Sequence, residues 1–292
     1  MINMAKKAPK KTLKKKTFDL SKFKKNNGLN IPVKEKDLTW IPLSDAFHEA
    51  LKIPGVARGY FTSFRGFSNT GKSTAMYEAV AGCQKIGDLA VIMETENNWS
   101  WEHARDVGVE FEEVVDEETG EVIDYEGDFI FMNGDDLMNR YKFIDYSNGK
   151  EGTKPLRGEP VIEDVSMFIT QLLDSQDAGD LNRNLCFLWD SVGSLNGFKS
   201  VMSKSNNNQW NAGSMETAFK SLINHRIPSS RRVNKPYINT FAVVQKIWLD
   251  NENKVVKHKG GEAFFYAPRV IVHFGGILSH STSKLKAYGS VQ

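Results

Sequence analysis

Gly66-Phe67-Ser68-Asn69-Thr70-Gly71-Lys72-Ser73-Thr74 has the spacing G-x-x-x-x-G-K-[ST], and it governs how the other residues of this 292-residue chain are read. Residues 59–64 before it are a strand-like apolar run, and residues 74–82 after it read as a helix. The pattern needs that setting. Glycines let successive backbone N–H groups converge on one anion, and the following helix adds the positive end of its dipole. Gly66, Ser68, Asn69, Thr70, Gly71, Lys72, Ser73 and Thr74 are therefore expected to hold a nucleoside triphosphate. Lys72 would reach the β- and γ-phosphates, and the Ser73 hydroxyl would ligate Mg²⁺. A chance glycine-rich turn is the plain alternative, and the flanking elements weigh against it.

Composition bounds the class. Hydrophobic residues make up 40% and charged residues 25%, which suits an ordinary globular fold. Residues 1–25 hold ten lysines and one aspartate, so a chain of net charge +2 divides into a segment of +9 and a remainder of −7. The basic stretch, residues 1–30, has too little apolar content to fold alone and is expected to be disordered or an interaction arm. Such an arm either contacts polyanions through their phosphates or serves as a solubilising tail. No apolar run approaches the roughly 18 residues of a membrane helix, and the basic start lacks the apolar segment of a secretory signal. Cys83 and Cys186 lie in apolar runs without C-x-x-C spacing, so they are expected to be buried thiols in a reducing compartment.

Five further strand candidates follow the motif, at residues 89–93, 129–132, 185–189, 240–244 and 269–274. Helical periodicity separates several of them, at residues 161–173 and at 214–223 with Ser214 as the expected cap. A short helix at residues 45–51, capped by Ser44, precedes the motif. Alternation of this kind predicts an α/β fold over residues 31–292, with a mostly parallel central sheet flanked by helices and its chemistry at the carboxyl ends of the strands. Residues 112–128 read as an inserted β-hairpin turning at Thr119-Gly120, and residues 149–160 as loop. Residues 196–213 and 246–261 are expected to be long polar loops, each following a strand end.

Three strand ends carry candidate chemistry. Leu185-Cys186-Phe187-Leu188-Trp189 runs into Asp190-Ser191, an apolar strand ending in a carboxylate that would support Mg²⁺. Residues 89–93 run into Glu94-Thr95-Glu96, and either carboxylate could activate an attacking water; spacing alone does not choose between them. Residues 240–244 end in Gln245, whose amide could sense the γ-phosphate, or else simply bond to backbone as a buried glutamine.

The order of these features resembles the RecA-type recombinase family, most closely its phage-encoded, UvsX-like branch, over roughly residues 50–285. The likeness rests on Ile92-Met93-Glu94-Thr95-Glu96-Asn97-Asn98-Trp99-Ser100-Trp101-Glu102-His103-Ala104-Arg105-Asp106-Val107-Gly108-Val109, on Asp190-Ser191-Val192, on Gln245, on Gly260-Gly261 and on Phe265-Tyr266-Ala267. The resemblance implies a RecA-like P-loop ATPase core that binds ATP and Mg²⁺ and assembles as a homo-oligomeric filament on single-stranded DNA. It also implies a cytoplasmic, DNA-dependent ATP hydrolase that exchanges homologous strands in recombination and repair, meeting duplex DNA during exchange. Aligned without gaps, it assigns water activation to Glu96, places Gln245 as the γ-phosphate sensor and puts His103 where an aromatic ring stacks on adenine. The two polar loops would contact DNA, the first through Lys199, Lys204 and Trp210. The second would use Lys246, Trp248, Lys254, Lys257, Lys259, Gly260 and Gly261, combining cations with a stacking surface. Lys284 and Lys286 are candidates to complete a neighbour's ATP site, and the hairpin at 112–128 has no counterpart in the family pattern.

Two other readings share these residues. A ring helicase or loader of the DnaB type uses a related core and needs a late arginine, for which Arg269 is the candidate. A regulator that binds ATP and a partner protein would fit the acidic body without requiring strand exchange.

Overall fold

All six apolar runs become strands of one sheet. The computed structural model describes residues 18–29, 34–204, 208–250, 255–275 and 289–291. Strands β1 (Trp40–Pro42) and β2 (Gly55–Ala57) form a separate antiparallel pair. The central sheet takes β3 (Phe61–Gly66) and β4 (Leu89–Glu94), after which β5 (Glu112–Val115) and β6 (Val122–Glu126) make the expected hairpin. Strand β7 (Phe129–Asn133) returns to the sheet, and β8 (Ile144–Asp145) and β9 (Lys150–Glu151) form a small ribbon. The sheet is completed by β10 (Leu185–Val192), β11 (Asn239–Asp250), β12 (Val255–His258), β13 (Val270–Phe274) and β14 (Gly289–Val291).

The strand order is β14-β13-β3-β11-β10-β4-β7, with β12 paired to β11. Every neighbouring pair from β13 to β7 is parallel, whereas β14 and β12 add antiparallel. This is a mixed α/β fold with a mostly parallel central sheet flanked by helices. Parallel strands covered on both faces read as apolar runs, which is why these strands were visible in the sequence, although β3 also buries Thr62, Ser63 and Arg65. Alternate residues of one strand supply two different cores. Val91, Met93, Phe187, Trp189, Phe241 and Val243 face the helices Ile162–Ala178 and Asn208–Ser221. Ala90, Ile92, Cys186, Leu188, Ala242 and Val244 face the helix Lys72–Ile86. Each large apolar side chain so buried contributes about 1.5–3 kcal/mol. Cys83 and Cys186 are free and buried in the second core.

Close approach fixes where the helix Lys72–Ile86 sits. A Cβ on Gly82 would lie 2.1 Å from the Pro42 carbonyl oxygen, so only glycine lets β1 cross the helix there. Ser44 caps Asp45–Leu51 as expected, accepting a hydrogen bond from the Phe47 amide at 3.3 Å. On the other face, Asp164 in the first turn of Ile162–Ala178 accepts from the Val161 amide at 2.9 Å and is paired with the buried Arg157. Arg157 also donates to the carbonyls of Tyr141 and Ile144, both at 3.1 Å. The polar stretch 149–160 is held to the body by this buried ion pair together with the β8–β9 pairing and the Leu156 amide, which donates to the Lys142 carbonyl at 2.8 Å.

Three expectations are corrected. Ser214 is no cap, because Asn208–Ser221 is one continuous helix that runs through it. The stretch 196–213 contains two helices, Phe198–Met202 and the start of Asn208–Ser221. The stretch 246–261 is largely a β-ribbon: β11 continues past Gln245 to Asp250, and β12 returns against it with Ile247 opposite His258. Polar side chains made both stretches read as loops. Neither needs a buried face on its polar side, so composition concealed the regular backbone.

Residues 35–292 make one compact unit and residues 1–34 another. In the latter, Leu20–Asn26 is helical, with Asp19 accepting from the Lys22 amide at 3.0 Å and no side chain buried. Lys254, Lys284, Lys286 and the lysines of residues 6–16 lie outside the described residues. Among the described residues no helix is long and apolar enough to cross a membrane.

Candidate functional site

The motif sits at the carboxyl end of β3, which lies inside the sheet between β13 and β11. β3 extends two residues beyond the expected strand, taking Arg65 and Gly66 into register with His273 and Phe274 of β13. A Cβ on Gly66 would stand 2.7 Å from the Phe274 carbonyl oxygen, so the loop leaves the sheet through a gap only glycine fits. Gly71, at φ 93°, turns the chain into the helix Lys72–Ile86, where the next backbone N–H groups have no intrahelical acceptor. Thr70 Oγ1 and Lys72 Nζ both donate to the Phe67 carbonyl, at 2.9 and 2.5 Å. Lys72 is only 7% exposed, and burial lowers its pKa against the opposing pull of Asp190 and Glu96.

The strand ends beside the loop bring Asp190 and Glu96 close to Lys72, with Ser73 beside Asp190. Asp190, near the end of β10, is pushed up to about 6, chiefly by burial, with Glu96 and Glu94 adding to the rise. Its hydrogen bond with Ser73 and the charge of Lys72 oppose that shift. Its Oδ1 is buried with no hydrogen-bond partner. A buried, unpartnered carboxylate oxygen costs about 1–3 kcal/mol or more, since the charge has lost water without a replacement.

The two glutamates at the carboxyl end of β4, Glu94 as its last residue and Glu96 just beyond, differ in what they do. Glu94 is buried and accepts from the amides of Glu96 at 2.9 Å, Asn97 at 2.9 Å and Asn98 at 3.3 Å. Both its oxygens are committed to shaping the turn. Glu96 is exposed; its Oε1 accepts a short bond from the Ser191 hydroxyl, and its charge acts on both Lys72 and Asp190. His103 lies across from the loop helix, with Nε2 3.5 Å from Thr74 Oγ1 and its ring edge-on to Tyr77 at 4.9 Å.

Gln245 is fully buried, and its amide is spoken for on both sides. Its Oε1 accepts from Ser63 Oγ at 3.0 Å and Arg65 Nε at 2.6 Å, while Nε2 donates to the Lys259 carbonyl. The side chain thus faces protein partners, which matches the buried-glutamine alternative in its contacts. Arg65 escaped the sequence reading because it follows Phe64 at the expected strand end. A lone arginine next to the first motif glycine was the available signal. Ser191, the partner of Glu96, was also missed as a contact because the two lie 95 positions apart.

The candidate DNA residues fall into two groups. Lys246, Lys257 and Lys259 are exposed on the ribbon with Trp248, itself 37% exposed, and the Lys259 ammonium stands 5.8 Å from the Trp248 ring. Gly260 and Gly261, at φ 103° and 67°, turn the ribbon into the helix Gly261–Tyr266. A Cβ on Gly260 would meet Val192 at 2.6 Å, which holds the ribbon base against β10. In the other group, Lys199 lies over the Trp210 ring at 4.5 Å, and Lys204 is exposed after Phe198–Met202. Arg269 is exposed near the amino end of the sheet, its amide bonded to the Phe61 carbonyl at 2.8 Å. That is the opposite end from this chain's own loop.

Two cavities bear on ligand size. One of about 300 Å³ borders Thr70, Gly71 and Thr74, with Phe47 and Phe274 among its walls. A larger one of about 1080 Å³ lies under the hairpin, lined by Trp101, Phe111 and Tyr125 together with Glu110, Glu112 and Asp124. Its lining includes no lysine or arginine, so its electrostatic sign is wrong for a triphosphate. Among the described residues no group of three or more His, Cys, Asp and Glu side chains is arranged for a metal. No known protein-family profile matches the chain.

Proposed function

We propose that this protein is a Mg²⁺-dependent nucleoside triphosphatase with a RecA-like P-loop core. The observation that carries the reading is the meeting of Lys72, Ser73 and the unpartnered Oδ1 of Asp190 at the foot of a glycine-turned helix. A hydroxyl and a carboxylate oxygen are hard donors suited to Mg²⁺, with phosphate and water completing the shell. Mg²⁺, when bound, offsets phosphate charge that the protein alone would leave repelling Asp190 and Glu96. The free N–H groups at the start of Lys72–Ile86 bind phosphate oxygens, and Lys72 reaches toward the terminal phosphates. Glu96, exposed and next to Asp190, orients and deprotonates the attacking water. Glu94 cannot readily do so, since three amides hold its carboxylate.

Within that class, the particular reading is a strand-exchange ATPase that assembles on single-stranded DNA. The ribbon supports it: three exposed lysines and a half-exposed tryptophan on one projecting element combine phosphate contact with a stacking platform. ATP turnover with and without single-stranded DNA, followed across a salt series, tests both steps. Lys72→Ala should abolish nucleotide binding or turnover. Turnover indifferent to DNA would leave the ATPase and remove the recombinase.

A further inference from the structure

Arg65 is a buried cation that forms no ion pair among the described residues. Its partners are all neutral. Nε donates to Gln245 Oε1 at 2.6 Å and Ser63 Oγ at 3.2 Å, and one terminal nitrogen donates to the carbonyls of Phe264 at 2.8 Å and Phe265 at 3.2 Å. The guanidinium also lies over the Phe265 ring at 5.1 Å, and that ring stacks on His258 of the ribbon at 4.5 Å. Burial lowers its pKa to about 10. A neutral side chain of similar length would fill the space without that cost. Only a planar fork grips Gln245 along one edge and the helix Gly261–Tyr266 along the other.

Its backbone is tied to the phosphate loop just as firmly. Arg65 immediately precedes Gly66 and is in register with Gln245 on one side and His273 on the other. Gln245 then donates to the Lys259 carbonyl at the ribbon base. We infer that Arg65 is a positioning residue that couples nucleotide occupancy of the phosphate loop to the β11–β12 ribbon, acting through Gln245 and the Phe264 and Phe265 carbonyls. The inference rests on the proposed nucleotide site and deepens it: the path from loop to ribbon runs through the guanidinium, and Gln245 relays without itself touching nucleotide. Linkage makes the coupling reciprocal, so a ligand held by the ribbon alters nucleotide affinity through the same side chain.

Hydrogen exchange on the full chain tests this, with and without Mg²⁺ and a non-hydrolysable ATP analogue, in wild type, Arg65→Met and Gln245→Glu. Wild type should gain protection both in residues 66–72 and in residues 255–260. Arg65→Met should keep analogue affinity within about threefold while losing the ribbon response. Gln245→Glu still accepts from Arg65 but cannot donate to Lys259, so it should lose the same response even if Arg65→Met fails to fold. A ribbon response retained in the variants overturns the inference. So does wild type that protects only residues 66–72, and in that case the nucleotide site stands. Wild type that takes up no analogue overturns the site and the coupling together.

Discussion

Glu94 and Asp190 stand opposite one another in the β4–β10 pair, yet only Glu94 has its oxygens satisfied by backbone amides. One strand end is satisfied by protein amides, whereas its neighbour, though near Lys72 and Ser73, keeps Oδ1 without a hydrogen-bond partner. That asymmetry separates a carboxylate that shapes a turn from the one proposed to hold Mg²⁺.

Asp190→Asn should stabilise the nucleotide-free protein and abolish Mg²⁺-dependent turnover. The folded-state pKa of Asp190 is raised to about 6 from an ordinary 3.8, so the native state holds the proton more tightly than the unfolded chain. The charge therefore costs stability increasingly as pH rises through that window, and the cost is complete above it. Thermal melts should show the variant ahead of wild type by about 1–3 kcal/mol at pH 8, with a smaller gap at pH 4. A wild-type advantage at pH 8 would contradict the unpartnered-oxygen account.

Nucleotide affinity in the presence of Mg²⁺ should fall as pH drops below about 6, because protonated Asp190 cannot ligate. The loss should approach about tenfold per pH unit well below that value. Calorimetric titration of wild type between pH 5 and pH 8 measures it, and Asp190→Asn should show a flat, weak profile throughout.

Glu96→Gln should keep nucleotide binding while lowering turnover by about 10²–10⁴-fold, the usual worth of a general base. Glu94→Ala should act on the fold, leaving the amides of Glu96, Asn97 and Asn98 without their acceptor at a cost of about 1–3 kcal/mol. Single-turnover hydrolysis and denaturant melts on both variants separate the roles.

Arg157→Met should lose about 3–5 kcal/mol, since it strands the buried Asp164 carboxylate, whose pKa burial already raises to about 6. The double variant Arg157→Met/Asp164→Leu should recover much of that loss. Urea titrations of the two proteins decide whether the pair or its charge holds residues 149–160.

Lys257→Ala and Lys259→Ala should each reduce the salt slope of single-stranded DNA binding by about one unit if each contacts one phosphate. Fluorescence titration over a salt series reads the slope directly. Unchanged slopes in both would remove the ribbon from the DNA surface.

Much of the sheet was legible because burial on both faces writes an apolar run at each strand, as at Phe187 and Val243. The glycine-rich turn from β3 into the helix Lys72–Ile86 was legible because its backbone demands glycine at Gly66 and Gly71. The ribbon strand Val255–His258 and the Phe198–Met202 helix were not, since runs of four and five residues are too short to show a period. Arg65 was hidden for a different reason. The lone arginine beside Gly66 marked the place, but most of its partners lie 180 to 200 positions away and no local pattern names them.

The strands flanking β3 are β11 and β13, both drawn from the last third of the chain. A nascent chain that has just released the glycine-rich turn from the ribosome therefore has neither neighbour to hold it. The setting of the loop is complete only when Asn239–Asp250 and Val270–Phe274 have been synthesised and threaded in on both sides. On the proposed reading, an unfinished translation product would until then be silent toward nucleotide.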